Sequence, residues 1–274
     1  MQNKTEFYSI KNDHLSWAHP LVREWFIQKL GEPTEPQKQG WPAILAGKST
    51  LISAPTGSGK TLSAFLACLD QLVRKSVSGE LQHQAEVLYV SPLKALGNDV
   101  QKNLMGPLRE IAQLAAQKNI AMKDIEVAVR TGDTPNRERQ AMLRKAPHIL
   151  VTTPESLFIL LTAEKSRQML KSIRTIIVDE IHAMANDKRG AHLLLSLERL
   201  EALTVTPPIR IGLSATQKPI ETVARFLVGN ERPLPEIVHI GHARHLELLI
   251  DIPNIPLGAV ASNEMWDEIY NKVA

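Results

Sequence analysis

The chain has 274 residues, of which 43% are hydrophobic and 22% are charged, so it is ordinary globular material for one or two domains. A net charge of +3 permits nucleic-acid binding without requiring it, because a modest basic excess usually reflects a solvated surface. Its single cysteine, Cys68, excludes an internal disulfide, and no run approaches the roughly 18 apolar residues of a membrane span, so we expect a cytoplasmic protein without a membrane partner.

Short apolar runs rich in β-branched residues alternate with helical patterns along the chain. They cover residues 49–54, 86–91, 125–130, 148–153, 174–180 and 208–214. This alternation predicts an α/β fold, and runs that are apolar throughout predict parallel strands with helices on both faces. We therefore predict an open, doubly wound, mostly parallel sheet.

Sheets of this kind bind ligands beyond the carboxyl ends of their strands. The residues that follow the six runs are PTGSGKT, SPLKAL, TGDT, TPES, DEIH and SAT. All of these segments are small, polar or charged, whereas the opposite ends of the runs carry nothing comparable. The carboxyl edge of the sheet is therefore the predicted functional edge.

The strand and helix rhythm is lost after about residue 230, where ERPLPEIVHIG and IDIPNIPLGAV are rich in proline. We expect residues 1–235 to form the main domain and residues 236–274 to be an exit segment. The final EMWDEIYNKVA resembles the opening turns of an amphipathic helix.

A glycine-rich turn in the segment APTGSGKT joins the first strand to a helix. Such a turn directs backbone N–H groups and a helix N-terminus at one concave point that suits phosphate oxygens. The strict pattern begins with glycine, where this chain has Ala54. We predict that Lys60 reaches the terminal phosphates and that Thr61 ligates Mg²⁺. The predicted nucleotide contacts are Thr56, Gly57, Ser58, Gly59, Lys60 and Thr61.

An acidic pair ends the apolar run RTIIVDEIH. Such a pair can simply cap the next helix, but it lies where a phosphate-binding fold of this kind carries its magnesium-binding carboxylate. We predict that Asp179 holds Mg²⁺ and that Glu180 orients and deprotonates an attacking water. Together with the glycine-rich turn, the pair predicts a nucleoside triphosphate site.

The ordered segments APTGSGKT, SPLKAL, RTGDTP, TTPESL, VDEIHA and IGLSAT resemble superfamily 2 helicases of the DEAD/DEAH type. They are most similar to the large helicase-related family of bacterial DNA repair helicases, which KRGAHLLLSLERLEAL also resembles. The resemblance covers roughly residues 15–274. It implies a RecA-like P-loop NTPase fold, with ATP as the nucleotide.

The family's site residues carry over where this sequence matches its motifs. Gln37, in an adenine-recognition segment at about residues 15–40, resembles the glutamine that reads the adenine edge, and Trp17 is a candidate to stack on the base. His182 joins the catalytic set with Lys60 and the acidic pair. The motif that couples hydrolysis to movement is Ser214, Ala215 and Thr216, whose hydroxyls we expect near Glu180 or His182, although they can also cap a helix.

A single nucleic-acid strand is expected along three other strand ends, and Thr153 is suited to cap a helix that begins at Pro154, leaving N–H groups for a phosphate. The basic run RTGDTPNRERQAMLRK either extends this footprint or is a solvated helix face. Contacts of this kind carry affinity without base sequence. The predicted nucleic-acid contacts are Pro92, Lys94, Thr131, Gly132, Thr152, Thr153 and Pro154.

The resemblance implies the first motor domain of an ATP-dependent DNA helicase whose partner, a second RecA-like domain, is missing from this chain. Without that domain's arginines we expect poor hydrolysis, and any brisk turnover by this chain would need a cation among Lys188, Arg189 and Arg210. Single-stranded DNA is the expected substrate, with RNA or a hybrid as alternatives. Two other functions stay open: a duplex translocase or remodeller, and a non-enzymatic module that is switched by nucleotide.

Overall fold

The computed structural model describes residues 14–92, 100–185, 187–241 and 262–273. Its chain divides into two compact units, residues 1–241 and residues 242–274. Lys94, one of the predicted nucleic-acid contacts, lies outside the described residues. Among the helices of the described ranges, none is long and apolar enough to cross a membrane.

The first unit alternates strands and helices along the chain. Its strands are β1 (Thr50–Ser53), β2 (Val87–Val90), β3 (Val127–Arg130), β4 (Ile149–Thr152), β5 (Thr175–Val178), β6 (Ile209–Ser214) and β7 (Glu236–His239). Its helices are α1 (Pro20–Leu30), α2 (Glu35–Leu45), α3 (Lys60–Val77), α4 (Gly106–Gln117), α5 (Asn136–Arg144), α6 (Pro154–Thr162), α7 (Glu164–Leu170), α8 (Lys188–Leu203) and α9 (Ile220–Val228). A π-helical turn (Gln101–Met105) precedes α4, and a 3₁₀ turn (Ile181–Ala183) follows β5.

All seven strands form one parallel sheet in the order β3-β4-β2-β5-β6-β1-β7. The six predicted strands are confirmed, as is their parallel arrangement. Because the strands are parallel, every carboxyl end lies on the same edge of the sheet. The order places the ends of β1, β6 and β5 side by side, and those of β2, β4 and β3 beside them.

The seventh strand was not predicted, and it lies beyond the expected boundary at residue 235. Residues 236–239 pair in parallel with β1, so this segment is part of the main sheet. The first compact unit accordingly ends at Gly241. β7 is a short edge strand that follows Pro233 and Pro235, a setting in which the alternation that marks a strand is hard to recognise.

Helices cover both faces of the sheet, as predicted. In β2, Leu88 and Val90 pack into the core beneath α6 to α9, whereas Val87 and Tyr89 pack into the core beneath α3 and α4. Alternate residues of one strand therefore serve opposite cores. This explains why the runs are apolar throughout.

A third core fixes the N-terminal helices against α3. The Trp41 ring lies edge-on to Trp17 and to Phe26, with ring centroids 5.3 and 5.8 Å apart. Its indole N–H donates to the carbonyl of Ser63 in α3 at 3.1 Å. These contacts hold α2 beside the start of α3.

In the second unit the described residues form α10 (Asn263–Val273), which confirms the helix expected there. The rings of Trp266 and Tyr270 stack on its surface, 5.8 Å apart.

Candidate functional site

The turn between β1 and α3 has the conformation of a phosphate cradle. Gly57 and Gly59 have φ angles of 80° and 85°, which side chains other than glycine rarely adopt. A Cβ at Gly57 would meet no atom within 4 Å, so the turn faces open space. The Ser58 hydroxyl oxygen is buried without a hydrogen-bond partner among the described residues. An open loop with an unsatisfied donor suits a bound phosphate.

Lys60 and the acidic pair come together in space, although about 120 residues separate them in the sequence. The Lys60 side chain is 6% exposed, and its Nζ lies 4.0 Å from Oε1 of Glu180. Glu180 has the left-handed φ of 48°, so the chain turns sharply directly after Asp179. The ammonium group and the carboxylates therefore face one another across the cradle.

The Asp179 carboxylate is 4% exposed, and both of its oxygens accept hydrogen bonds. Oδ1 accepts the N–H of Glu180 at 2.9 Å, and Oδ2 accepts the hydroxyl of Tyr89 in β2. Burial raises the pKa of Asp179, while the bond from Tyr89 acts in the opposite direction. The sequence pattern gave no signal for Tyr89, because its contact joins two different strands.

Gln37 lies against the glycine-rich turn. Its side chain is 3% exposed; Oε1 accepts the N–H of Thr34 at 2.9 Å, and Nε2 lies 3.5 Å from the carbonyl of Gly59. The amide thus caps α2 and contacts the phosphate loop with one side chain. Trp17 is partly buried against Trp41, and its stacking on a base stays a prediction.

The coupling motif contacts the acidic motif through its backbone. The N–H of Ala215 lies 3.3 Å from Nδ1 of His182, and the same Nδ1 lies 3.4 Å from Oε2 of Glu180. The Ser214 hydroxyl instead donates to the carbonyl of Ala215 at 2.8 Å, and Thr216 is exposed. The expected hydroxyl contact with the acidic motif is therefore replaced by a backbone contact.

The helix cap predicted after β4 is confirmed. Thr153 accepts the N–H of Ser156 at 3.3 Å, and Pro154 is the first residue of α6. Thr152 is fully buried, and its hydroxyl donates to the carbonyl of Arg130 at 2.6 Å. The Thr152 side chain therefore holds β4 to β3 and does not face solvent.

The turn after β3 is braced by an arginine that the sequence pattern did not single out. Arg139 donates to the carbonyls of Thr134 and Gly132, both at 2.7 Å, and the N–H of Thr131 donates to the Thr134 hydroxyl at 2.8 Å. Gly132 faces open space. Arg139, which belongs to the basic run, therefore stabilises this turn by donating to its carbonyls.

Arg189 joins the ends of β2 and β4. Its guanidinium donates to the carbonyl of Pro92 at 2.9 Å and to both carboxylate oxygens of Glu155. This bond lowers the pKa of Glu155 and raises that of Arg189. The two neighbouring strand ends are therefore held in one fixed arrangement.

The sequence pattern of the family described as DEAD/DEAH box helicase matches residues 34–225. This stretch is most of the chain, and it contains the phosphate loop, the acidic pair and the coupling motif. The chain belongs to the DEAD/DEAH box helicase family.

Among relatives of this helicase chain, the Lhr helicase/probable uracil glycosylase of Mycolicibacterium smegmatis is 46% identical over 261 residues, which are 95% of this chain and 17% of that protein. The ATP-dependent helicase Lhr-Core of Methanocaldococcus jannaschii is 48% identical over 250 residues, 91% of this chain and 29% of that protein. The predicted resemblance to the large helicase-related family is confirmed. The chain spans less than a third of the length of these two relatives.

Solved structures confirm the RecA-like fold of this helicase chain. The structure of Mycobacterium smegmatis helicase Lhr bound to ssDNA and AMP-PNP has a TM-score of 0.79 and 46% identity, covering 96% of this chain and 33% of that one. The DEAD-box helicase Mss116 bound to ssRNA and UDP-BeF has a TM-score of 0.66 at 15% identity, covering 81% and 43%. The second likeness shows the fold alone.

Two of the three cations considered, Arg189 and Arg210, are bonded to other groups. Arg210 is 1% exposed in the amino-terminal half of β6, bonded to Glu198 and Glu201 at 2.9 and 2.7 Å. Arg189 is bonded as described above, and Lys188 is exposed on the first turn of α8. Two cavities of about 270 and 340 Å³ lie among α6, α7 and α8, and no predicted site residue lines them.

Proposed function

We propose that this chain is the ATP-binding first motor domain of an ATP-dependent DNA helicase, which couples ATP hydrolysis to translocation along a nucleic-acid strand and to unwinding. The observation that carries the proposal is the 4.0 Å approach of Lys60 Nζ to Glu180 Oε1. This approach brings a phosphate-binding lysine and a candidate catalytic acid to one point, at the edge where a parallel sheet binds ligands.

Each residue of the cradle has a separate role in binding or hydrolysing ATP. Lys60 binds the terminal phosphates, and Glu180 orients and deprotonates the attacking water. Gln37 reads the adenine edge, for which its amide must turn away from Thr34 and Gly59. Thr61 and Asp179 would hold Mg²⁺, since hydroxyl and carboxylate oxygens are the ligands that this cation prefers. When bound, Mg²⁺ neutralises charge on the β- and γ-phosphates. The buried Ser58 hydroxyl, which has no hydrogen-bond partner within the described part of the chain, is a further donor to the phosphates.

The neighbouring strand ends form the nucleic-acid half of the proposed site. The positive end of α6, which begins at Pro154 after the Thr153 cap, would attract a backbone phosphate, and Gly132 leaves room for the strand to approach. The contact between Ala215 and His182 is the proposed coupling path between nucleotide and strand. Single-stranded DNA is the proposed substrate, because the 46% identical Lhr structure contains it.

The proposed activity needs a second RecA-like domain. The family resemblance assigns that domain the arginines that stabilise the transferring phosphate, and this chain spans less than a third of the two relatives cited above. Loss of such an arginine costs on the order of a thousandfold in turnover. We expect this chain to bind ATP and to hydrolyse it poorly. A cytoplasmic location stays a prediction from the sequence.

Equilibrium binding of a fluorescent ATP analogue tests the nucleotide half. Lys60→Ala should abolish binding because the phosphates lose their cation, whereas Glu180→Gln should retain it. Lys118→Ala is the matched control, since this lysine pairs with Glu24 at 2.9 Å on the surface and should leave affinity unchanged. Equal binding by Lys60→Ala and the control would refute the nucleotide site.

Turnover assays separate the alternative functions. In a longer form that includes a second RecA-like domain, Glu180→Gln should remove DNA-stimulated hydrolysis while nucleotide binding persists. Strand displacement by that form would distinguish a helicase from a duplex translocase. Stronger stimulation by RNA than by DNA would favour an RNA helicase. Absence of turnover in every form, with nucleotide binding intact, would favour the nucleotide-switched module.

A further inference from the structure

Tyr89 lies at the centre of the sheet, directly beneath the acidic motif. It is the third residue of β2, opposite Ile177 of β5, and the backbone N–H of Asp179 donates to the neighbouring Val90 carbonyl at 2.8 Å. These ladder contacts fix where β2 stands relative to the Asp179 backbone. The Tyr89 side chain is 1% exposed, and its hydroxyl donates to Oδ2 of Asp179.

The same side chain contacts the helix that carries the phosphate loop. The Tyr89 ring packs against Phe65 of α3, with centroids 4.9 Å apart and planes inclined at 35°. Phe65 lies on the second turn of the helix that begins at Lys60. One residue of β2 thus contacts both the phosphate-binding helix and the acidic motif.

The hydroxyl is not needed to fill this space, since phenylalanine would present the same ring to Phe65. A buried hydroxyl is costly unless it has a partner, and here a carboxylate oxygen is its partner. The other oxygen of Asp179 accepts the N–H of Glu180 at 2.9 Å. Two donors from different directions therefore fix both the position and the rotation of the carboxylate plane.

A carboxylate oxygen that accepts one hydrogen bond keeps a second lone pair for a cation. Donors behind a ligating group commonly orient it, and their loss weakens metal binding by about 10- to 100-fold. We propose that Tyr89 is a positioning residue whose hydroxyl holds the Asp179 carboxylate in the orientation that binds the Mg²⁺ of the nucleotide. This inference rests on the nucleotide-binding function proposed above.

The test is equilibrium binding of a fluorescent ATP analogue to the full chain, measured in excess Mg²⁺ and again in excess EDTA. The ratio of the two affinities reports the contribution of the cation without requiring turnover. Tyr89→Phe should lower this ratio about tenfold and leave the affinity in EDTA unchanged. An unchanged ratio overturns the inference. A higher ratio also overturns it, because the hydroxyl would then compete with the cation.

Two further variants separate positioning from packing. Phe65→Leu alters the ring contact but keeps the hydroxyl, so it should lower thermal stability and retain the wild-type ratio. In an Asp179→Asn background, adding Tyr89→Phe should cause no further loss, since the group that it orients has changed. A further tenfold loss in that background would place the effect elsewhere and overturn the inference.

The same measurements distinguish failure of the inference from failure of the proposed function. If the wild-type chain binds the analogue in neither Mg²⁺ nor EDTA, the proposed nucleotide site is wrong, and so is the proposed role of Tyr89. If the wild type binds with a clear Mg²⁺ dependence and Tyr89→Phe matches it, only the positioning role is wrong. Circular dichroism of each variant shows that both comparisons concern a folded protein.

Discussion

Gly190 stands where the start of α8 crosses closely over the turn after the acidic motif. A Cβ at this position would lie 1.9 Å from the carbonyl oxygen of Met184 and 2.9 Å from Cζ of Phe226. The Gly190 N–H is also held by Asp187 at 2.7 Å. Since ordinary contacts begin near 3.4 Å, Gly190→Ala must shift the helix or the Met184 carbonyl by more than an ångström.

The expected loss in the free energy of unfolding is large for the addition of one methyl group. In an unobstructed helix, replacing glycine by alanine stabilises by about 1 kcal/mol, so steric conflict must reverse the sign. Overpacking of a buried contact costs about 1 to 3 kcal/mol, and Gly190→Ala falls at the upper end because backbone atoms of Met184 are struck. At about 2 to 4 °C per kcal/mol, the melting temperature should fall by about 6 to 12 °C.

Thermal unfolding followed by far-UV circular dichroism measures this effect. Gly132→Ala is the matched control, because its Cβ would meet no atom within 4 Å and its φ is not positive. The control should melt within about 3 °C of the wild type. If Gly190→Ala melted with the control, α8 would have room above Met184, and the close approach would not constrain the acidic motif.

Three other changes test separate parts of the fold. Thr153→Ala should destabilise by about 1 kcal/mol through loss of the α6 cap, and should weaken single-strand binding at low salt without changing nucleotide affinity; equal loss of both activities would indicate general damage instead. Burial lowers the pKa of His148, so the unfolded chain binds that proton more readily than the folded chain. The contribution of His148 to the free energy of unfolding should therefore be fully present above about pH 6.5 and should be lost progressively as the pH falls below this value. Urea unfolding from about pH 5 to about pH 8 should show a smaller acid loss in His148→Phe, and an identical loss would remove His148 as the cause. Arg210→Ala should cost about 3 kcal/mol in urea unfolding, because it leaves a cavity where a fully buried side chain stood and removes the donor to the Leu227 carbonyl, while Glu198 and Glu201 keep Arg232 as a partner; a cost below about 1 kcal/mol would mean that water fills the cavity and replaces the donor.

The parts of the fold that depend on local pattern could be predicted from the sequence. Apolar runs bounded by polar segments marked six strands, and five of these are buried along nearly their whole length, which requires apolar residues on both faces. β7 was missed because Val238 alone among its residues is buried and because Pro233 and Pro235 precede it, whereas β3, the other edge strand, keeps the apolar run VAV. Strand order could not be predicted either, since it depends on how the crossovers stack and leaves no signature in a single run.

The candidate site likewise combines features that the local sequence predicts with features that depend on contacts between distant segments. The glycine pattern and the cap at Thr153 are local, and the structure has them where the sequence indicated. The roles of Tyr89, Arg139 and Arg189 are spatial, because each joins segments that lie apart in the chain or turns a basic residue inward. Arg210 shows the converse: its charge suggested a catalytic cation, but burial in the amino-terminal half of β6 assigns it to the core.

The order of the strands explains how one edge can serve two ligands without mixing them. β5 lies in the middle of the sheet, with β6 and β1 on one side and β2 and β4 on the other. The acidic motif at its end therefore borders both the phosphate loop and the proposed nucleic-acid groove. On the first side His182 lies within 3.3 Å of the Ala215 N–H; on the second, Tyr89 of β2 bonds to Asp179. The proposed coupling of hydrolysis to movement would therefore need only contacts between β5 and its two neighbouring strands.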